Sequence, residues 1–448
     1  MPDKADKISN ADNVTRLPVV PRVVPRAEHN ISRDNISPNA LKVLYRLKNA
    51  GYEAYLVGGG VRDLLLGREP KDFDIVTSAL PEQVRELFRN CRLIGRRFRL
   101  AHVHFGPEII EVSTFRANQA ERADGDTDEV DFASADGMIL RDNVYGKVDE
   151  DVWRRDFTVN ALLYNIEDFS VVDYVNGMQD IEAGCLRMIG DPERRYREDP
   201  VRMLRAVRFA TKLGFRIDPA SETPIPLLAE LLGDIPPARL FEEFLKLFLS
   251  GYAVQGFEGL RHYGLFAHLF PQTESILAEQ EGGYPHVFAI KALENTDQRI
   301  SDGKPVTPAF LLAALLWEPV RAQFDQYVSK GLAEHEAMKL AADDVVAKQI
   351  TSLAMPRRFT LMSKEIWALQ LRLKNTMAKP GKRAIRLLSH PRFRAAYDFL
   401  LLRVAAGEPL AEVADWWTAL QADENVMLEV EQQAPRTNRR RRRRGGSN

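Results

Sequence analysis

Leu56-Val57-Gly58-Gly59-Gly60-Val61-Arg62-Asp63-Leu64-Leu65-Leu66-Gly67, followed closely by Asp72-Phe73-Asp74, is the stretch on which the fold turns. A glycine-rich turn that opens a helix presents backbone N–H groups to an anion, as phosphate-binding loops do. Two carboxylates at i and i+2 on a strand point to the same face, within reach of one or two divalent metals. Neither half decides anything alone, because glycine triplets occur in ordinary turns and Asp-x-Asp pairs are common on solvated surfaces. In this order and at this spacing they describe a phosphate cradle beside a metal-binding carboxylate pair, which is what nucleotide transfer requires.

Working outward, Tyr55–Val57 reads as a short strand feeding the turn, Val61–Leu66 as a short helix, and Lys71–Thr77 as the strand carrying Asp72 and Asp74. Upstream, Leu41, Val43, Leu44 and Leu47 recur at helical spacing and predict a helix over Asn39–Ala50. Downstream, Pro81 suits the first turn of a helix running to Phe88. Arg99–Phe105 and Glu108–Phe115 are β-rich runs on either side of Gly106-Pro107, a hairpin signal, and the second run places Glu111 between Ile110 and Val112. His102 and His104 alternate on the first run without a third ligand spaced for zinc, so packing or a backbone bond is expected of them. Residues 117–137 read as an acidic loop, a lid or plain slack, and Tyr164–Tyr174 as a further hairpin. From about Asp149 helical periodicity dominates. Trp416-Trp417 falls in such a run, where core packing is preferred to stacking on RNA bases.

Composition bounds the class. At 448 residues, 45% hydrophobic and 28% charged, the chain matches ordinary globular proteins of several domains. Cys91 and Cys185 are the two cysteines, too few for a disulfide framework or a cysteine zinc site, and a reducing cytoplasm is the expected location. No signal-peptide pattern or membrane-length apolar run occurs in the sequence. The net charge of −1 conceals an asymmetry, since Arg436, Arg439, Arg440, Arg441, Arg442, Arg443 and Arg444 all lie in the last thirteen residues. A tail of repelling like charges is expected to be disordered and to act as a nonspecific phosphate tether for nucleic acid, or else as a solubilising end or an interaction tail for an acidic partner.

Two further segments carry chemistry. Arg154-Arg155-Asp156-Phe157-Thr158-Val159-Asn160-Ala161-Leu162 sets two cations, a carboxylate and an amide among apolar positions. Arginines suit phosphates or base edges, and Asp156 suits a metal or a ribose hydroxyl; an ordinary Arg–Asp pair is the plain alternative. In Tyr196-Arg197-Glu198-Asp199-Pro200-Val201-Arg202-Met203-Leu204-Arg205-Ala206-Val207-Arg208-Phe209, Asp199-Pro200 starts a helix. Arg202, Arg205 and Arg208 then step along the face opposite Met203, Leu204 and Val207. That face is either solvated surface, the commoner case, or the lining of a nucleotide cleft.

The ordered set Gly-Gly-x-Val-Arg-Asp, Asp-x-Asp, Arg-Arg-Asp-Phe-Thr-x-Asn-Ala and Glu-Asp-x-x-Arg-x-x-Arg-Ala-x-Arg-Phe resembles the class II nucleotidyltransferases, the bacterial poly(A) polymerases and CCA-adding tRNA nucleotidyltransferases. Leu93-Ile94-Gly95-Arg96-Arg97-Phe98-Arg99-Leu100-Ala101-His102-Val103 and the late segment Lys382–Tyr397 are similar to the poly(A) branch. The likeness spans about residues 25–420 and implies an α/β head, a polymerase-β-like nucleotidyltransferase palm, followed by a mostly α-helical neck, body and tail. The expected divisions are a flexible leader (1–36), the head (37–175), a helical neck with the base-selecting helix (176–270), a helical body and RNA-binding tail domain (271–430), and a disordered arginine-rich end (431–448).

The resemblance also implies a mechanism. Asp72 and Asp74 would hold two Mg²⁺ ions, with Mn²⁺ as a substitute, while AMP passes from ATP to an RNA 3′-hydroxyl with release of pyrophosphate. For the third carboxylate, Glu111 is preferred for metal geometry and Asp156 for positioning the nucleotide. Gly58 and Gly59 would cradle the triphosphate with Arg62 nearby, unless Arg62 instead pairs with Asp63. Asp199 and Arg202 would select the base, with Arg155 shaping that pocket, and Arg96, Arg97 and the terminal arginines would contact RNA. The implied partners are RNA 3′ ends of mRNA, small RNAs and decay fragments, together with RNA-decay proteins, and a monomer suffices. CCA addition is the rival within the class. A catalytically inactive RNA-binding protein would lack one of the four carboxylates, and an enzyme modifying small molecules would need neither the helical body nor the basic tail.

Overall fold

The computed structural model describes residues 20–95, 99–117, 144–279, 287–377 and 381–433. These fall into two units, one formed by residues up to Asp199 with Phe215–Pro224, the other by Pro200–Gly214 with the residues from Ile225 onward.

The first unit is built on one eight-stranded sheet. Its strands are β1 (Arg22–Val24), β2 (Ala54–Val57), β3 (Asp74–Thr77), β4 (Cys91–Ile94), β5 (Leu100–Phe105), β6 (Glu108–Thr114), β7 (Leu163–Asn165) and β8 (Val171–Asp173), in the order β1-β8-β7-β2-β3-β6-β5-β4. The β3–β6 pair is parallel and every other neighbouring pair antiparallel. The β5–β6 hairpin turns at Gly106, whose φ of +64° is a conformation that favours glycine.

Helix α1 (Pro38–Asn49) starts where the Ser37 hydroxyl accepts the N–H groups of Asn39 and Ala40, with Pro38 in its first turn. Its buried stripe of Ala40, Val43, Leu44 and Leu47 joins Leu56, Ile75, Val103, Ile110 and Val112 in one core on the first face of the sheet. On the other face a smaller core gathers Val57, Val76, Leu163, Phe115, Val152 and Ala161. That cover does not extend to β4 and the start of β6, where Ile94 and Ile109 are 40% and 43% exposed.

Helices α2 (Gly59–Leu65), α3 (Pro81–Leu87) and α4 (Val148–Trp153) follow the sequence reading closely. Several expectations are corrected. The leader is not flexible throughout, because β1 pairs with β8 and Ile31 and Ile36 are buried in the first core. The strand expected over Lys71–Thr77 begins at Asp74, so Asp72 precedes it. Strand β4 is not among the expected elements, and its last two residues, Leu93 and Ile94, open the segment read for its arginines. The head also runs beyond residue 175. Helices α5 (Gly177–Ala183) and α6 (Pro192–Glu198) belong to it, and strands β9 (Cys185–Leu186) and β10 (Arg216–Ile217) pair in parallel. Tyr196 Oη donates to the Ser221 carbonyl at 2.9 Å and Arg187 reaches Asp218 at 2.6 Å, which draws residues 215–224 into this unit. The acidic loop 117–137 falls, from residue 118 onward, outside the described residues, as does the terminal arginine run.

The second unit is helical, opening with α7 (Val201–Leu213). Phe244, Phe248, Phe266 and Phe270 stack at centroid distances of 4.9–5.4 Å. Further along, Trp417 is fully buried, stands 5.2 Å from Phe393 and donates its indole N–H to the Leu373 carbonyl at 3.1 Å, and Trp416 packs against the same cluster. Trp416-Trp417 is thus core. Trp417→Ala removes a buried indole and its hydrogen bond, an expected loss of about 3–5 kcal/mol in this unit, measurable as a lowered urea midpoint. Trp417→Phe is expected to lose less.

Candidate active site

The glycine turn follows directly from the end of β2. Gly58 sits at φ +74° and ψ −136°, a conformation that side chains strongly disfavour, and hands the chain to α2. The first N–H groups of that helix have no intrahelical partner. Side chains and backbone lie in ordinary contact with the turn. A Cβ on Gly58 would stand 3.7 Å from Arg155 Nη1, one on Gly59 3.4 Å from Arg62 Nη2, and one on Gly60 3.4 Å from the Asp72 carbonyl.

Strand register sets the carboxylates beside this turn. Val57 is the cross-strand partner of Asp74, Asp74 of Glu111, and Glu111 of His102. Directly opposed residues share a face, so Asp74 and Glu111 lie side by side one residue from the glycine turn. Burial pushes the Asp74 carboxyl up from 3.8 to about 6; the neighbouring Glu111 charge adds to this, the Arg155 guanidinium opposes it, and Asp72 adds a smaller push. Hard carboxylate oxygens of this kind suit Mg²⁺ or Mn²⁺. Asp74 is also held in a repulsive field that a cation would relieve, so the donor set fits a divalent metal. The carboxylates do not close into a cage: among the described residues no three His, Cys, Asp or Glu side chains form a metal-ion cluster. An open set leaves coordination positions for substrate oxygens.

Arg155 is held where its charge counts. Buried Asp151 accepts its Nε and Nη2 at 3.2 and 2.8 Å, and also stands 3.7 Å from Arg154. Arg62 is 2% exposed, with Nε and Nη2 donating to Asp63 at 2.9 and 2.6 Å and Nη1 donating to Asn160 Oδ1. The pair with Asp63, the alternative reading of Arg62, is therefore present. Asn160 turns its amide N–H toward Asp156 at 3.2 Å, and Asp156 also accepts the Phe157 N–H at 2.8 Å. The two carboxylates proposed for third place are separated by these contacts, Glu111 in register with Asp74 and Asp156 on Asn160. Thr158 anchors the same segment by donating to buried Asp180 at 2.7 Å. Gly177 is required there, since a Cβ would lie 2.4 Å from the Thr158 carbonyl.

Asp199 ends α6 in the first unit, and Arg202 stands in the opening turn of α7 in the second, 8% exposed. The arginine face of α7 is not solvated. The Arg208 guanidinium lies 4.2 Å from the Phe209 ring and 3.4 Å from Glu243 of helix Pro237–Phe248. Arg96, Arg97 and Arg439–Arg444 lie outside the described residues. Sequence reading missed Asp151, although the i, i+4 spacing to Arg155 signals it, and gave Asn160 no role. His102 was assigned packing or a backbone bond; its Nε2 instead meets Glu111 Oε2 at 3.2 Å.

The raised Asp74 carboxyl has a measurable consequence. Below 3.8 it is protonated whether folded or not, while between there and about 6 the unfolded chain ionises first. The metal-free protein therefore loses stability as pH rises through this window and carries the whole cost, ~3 kcal/mol, above it. With divalent ions chelated, Asp74→Asn is expected to melt above wild type at pH 8 by roughly 6–12 °C, at about 2–4 °C per kcal/mol. The difference closes as pH falls toward 4, which thermal scans across pH will check.

Comparison with known proteins identifies the family. Residues 54–187 match the poly A polymerase head domain, 214–277 the probable RNA and SrmB-binding site of polymerase A, and 330–446 the polymerase A arginine-rich C-terminus. Poly(A) polymerase I of Salmonella typhi is 52% identical over 429 residues, 94% of this chain and 91% of that protein. A CCA-adding enzyme of Lactobacillus helveticus is 41% identical over 219 residues, 49% of this chain and 52% of its own. Among solved structures, the CCA-adding enzyme of Bacillus stearothermophilus in complex with CTP aligns with a TM-score of 0.54 at 27% identity, covering 86% of this chain and 81% of that one. Among the described residues no helix is long and apolar enough to cross a membrane. With a match this high over nearly its whole length, and the head, RNA-binding and arginine-rich segments in sequence, the chain belongs to the bacterial poly(A) polymerase I family of nucleotidyltransferases.

Proposed function

We propose that this protein is a template-independent polyadenylating enzyme that extends RNA 3′ ends with AMP from ATP. The observation that carries the reading is the Asp74–Glu111 register pair, one residue from the Gly58 turn, in a chain 52% identical to poly(A) polymerase I. The RNA 3′-hydroxyl oxygen attacks the α-phosphorus, the bond to the departing pyrophosphate breaks, and the hydroxyl proton is lost. No protein nucleophile is needed.

Asp72, Asp74 and Glu111 would hold divalent ions, Mg²⁺ or Mn²⁺, whose chemistry would be to acidify the attacking hydroxyl and neutralise the triphosphate. The N–H groups at Gly58 and Gly59 orient the triphosphate, and Arg155, steadied by Asp151, places a cation beside it. Asp156 holds the ribose, with Asn160 fixing its carboxylate. Arg62 acts from behind, tying the glycine helix to Asn160. Asp199 and Arg202 read the base edge, and Arg96, Arg97 and Arg439–Arg444 engage RNA phosphates. The substrates are mRNA, small RNAs and decay fragments, met by a monomer in the cytoplasm alongside RNA-decay proteins.

Primer extension with each NTP separately, on an unstructured RNA and on a tRNA lacking its 3′ terminus, tests the reading. Long ladders with ATP alone on the unstructured RNA are expected, and addition confined to C, C and A on the tRNA would move the assignment to the CCA enzymes. Asp74→Asn is expected to lower extension by roughly 10³-fold or more, the scale of lost electrostatic preorganisation. The same variant is expected to melt above wild type, so a loss of activity accompanied by a raised melting temperature would not be a folding defect.

A further inference from the structure

One register row crosses four strands of the head, running Asp74, Glu111, His102 and Arg92 from the glycine turn to the sheet edge. The proposed function uses the first two. His102 stands directly opposite Glu111, and their side chains meet at 3.2 Å between Nε2 and Oε2. An ionised carboxylate only accepts, so the imidazole is the donor and carries its proton on Nε2. The ring is flanked by His104, with centroids 6.3 Å apart and planes at 61°.

This pair adds little to the stability of the fold. The Glu111 side chain is 42% exposed and His102 21%, and ion pairs or hydrogen bonds at such sites are weak contributors. Its consequence is orientation. A glutamate has three rotatable side-chain bonds, and a partly exposed one samples several rotamers unless something holds its end. Asp74 needs no such help, since its short side chain is partly buried.

We propose that His102 is a positioning residue for metal binding: its Nε2–H holds Oε2 of Glu111, so that Oε1 is presented on the side shared with Asp74. The inference rests on the reading of Glu111 as a metal carboxylate. It follows the general logic by which outer groups orient ligands, where removal costs about 10–100-fold in metal affinity.

The test is Mn²⁺ binding to the full-length chain without nucleotide, with free Mn²⁺ followed by electron paramagnetic resonance. Wild type is compared with His102→Ala, His102→Gln, Glu111→Gln and the Ala/Gln double variant. Glu111→Gln is expected to weaken binding, and His102→Ala to weaken it about 10-fold with an unchanged melting temperature. His102→Gln, which places an amide N–H near the same position, is expected to recover most of the loss. The double variant is expected to bind no more weakly than Glu111→Gln alone, because His102 acts through that carboxylate. In primer extension the half-saturating Mg²⁺ concentration of His102→Ala should rise while the KM for ATP holds. Unchanged Mn²⁺ affinity in both histidine variants, with Glu111→Gln weakened, overturns the role of His102 and leaves Glu111 in place. Unchanged affinity in Glu111→Gln overturns the metal role of Glu111 itself. Equal losses in His102→Ala and His102→Gln, with lowered melting temperatures, mark His102 as merely structural.

Discussion

Asp74 beside Glu111 is the contact to which the rest of the head answers. Two carboxylates on adjacent strands in direct register repel each other, and partial burial of Asp74 sharpens the cost. The parallel β3–β6 pairing enforces the approach, because a one-residue slip would turn Glu111 to the opposite face and Val112 out of the core. The apolar residues that alternate with the carboxylates, Ile75 on β3 and Ile110 and Val112 on β6, hold that register from the other side of the sheet. Hydrophobic packing on one face thus supplies the work that keeps like charges together on the other. Such a like-charge pair costs stability, and a bound cation, as proposed above, would relieve it.

The counter-charge is delivered from a distance in sequence. Arg155 opposes the charge at Asp74, and it is held on Asp151 through a fork of two hydrogen bonds. The following residues are pinned by Asn160 to Arg62, by Thr158 to Asp180, and by the close approach of Gly177. The anchors come from two elements, Arg62 from α2 and Asp180 with Gly177 from α5, so the cationic segment is tied to the glycine helix as well as to α5. Arg62, buried and committed to Asp63 and Asn160, couples that segment to the glycine helix. Preorganisation here means a network of buried polar groups, satisfied by one another.

Much of this was legible in the sequence, and the remainder failed for identifiable reasons. The turn at Gly58, the Asp-x-Asp pair and the odd carboxylate at Glu111 stand out because each breaks an apolar pattern over a few residues. Strands β1 and β4, of three and four residues, carry too little periodicity to register, and the pairing of β1 with β8 joins segments about 150 residues apart. The burial of Arg62 and Arg202 was equally hidden, since arginine is ordinarily a surface residue. The unit boundary was misplaced for the same kind of reason. It depends on Tyr196 and Arg187 reaching residues 215–224, contacts with no local signature.

The carboxylates proposed as the reaction centre would repel an RNA polyanion. Affinity for RNA has to be supplied elsewhere in the chain, and the sequence distributes its charge accordingly. Between residues 356 and 395 there are eleven lysines and arginines against a single Glu365, and Arg357, Arg358, Arg372, Lys382 and Arg386 are exposed on the helices of the second unit. The terminal arginines extend the same sign. Phosphate contacts of this type bind without regard to sequence and weaken steeply with salt, which suits an enzyme whose substrates share a backbone and a 3′ end but no common sequence. Separating the two charges also frees the head. With capture assigned to arginines, the carboxylates need not compromise with phosphate binding, and their mutual repulsion can be kept for the cation.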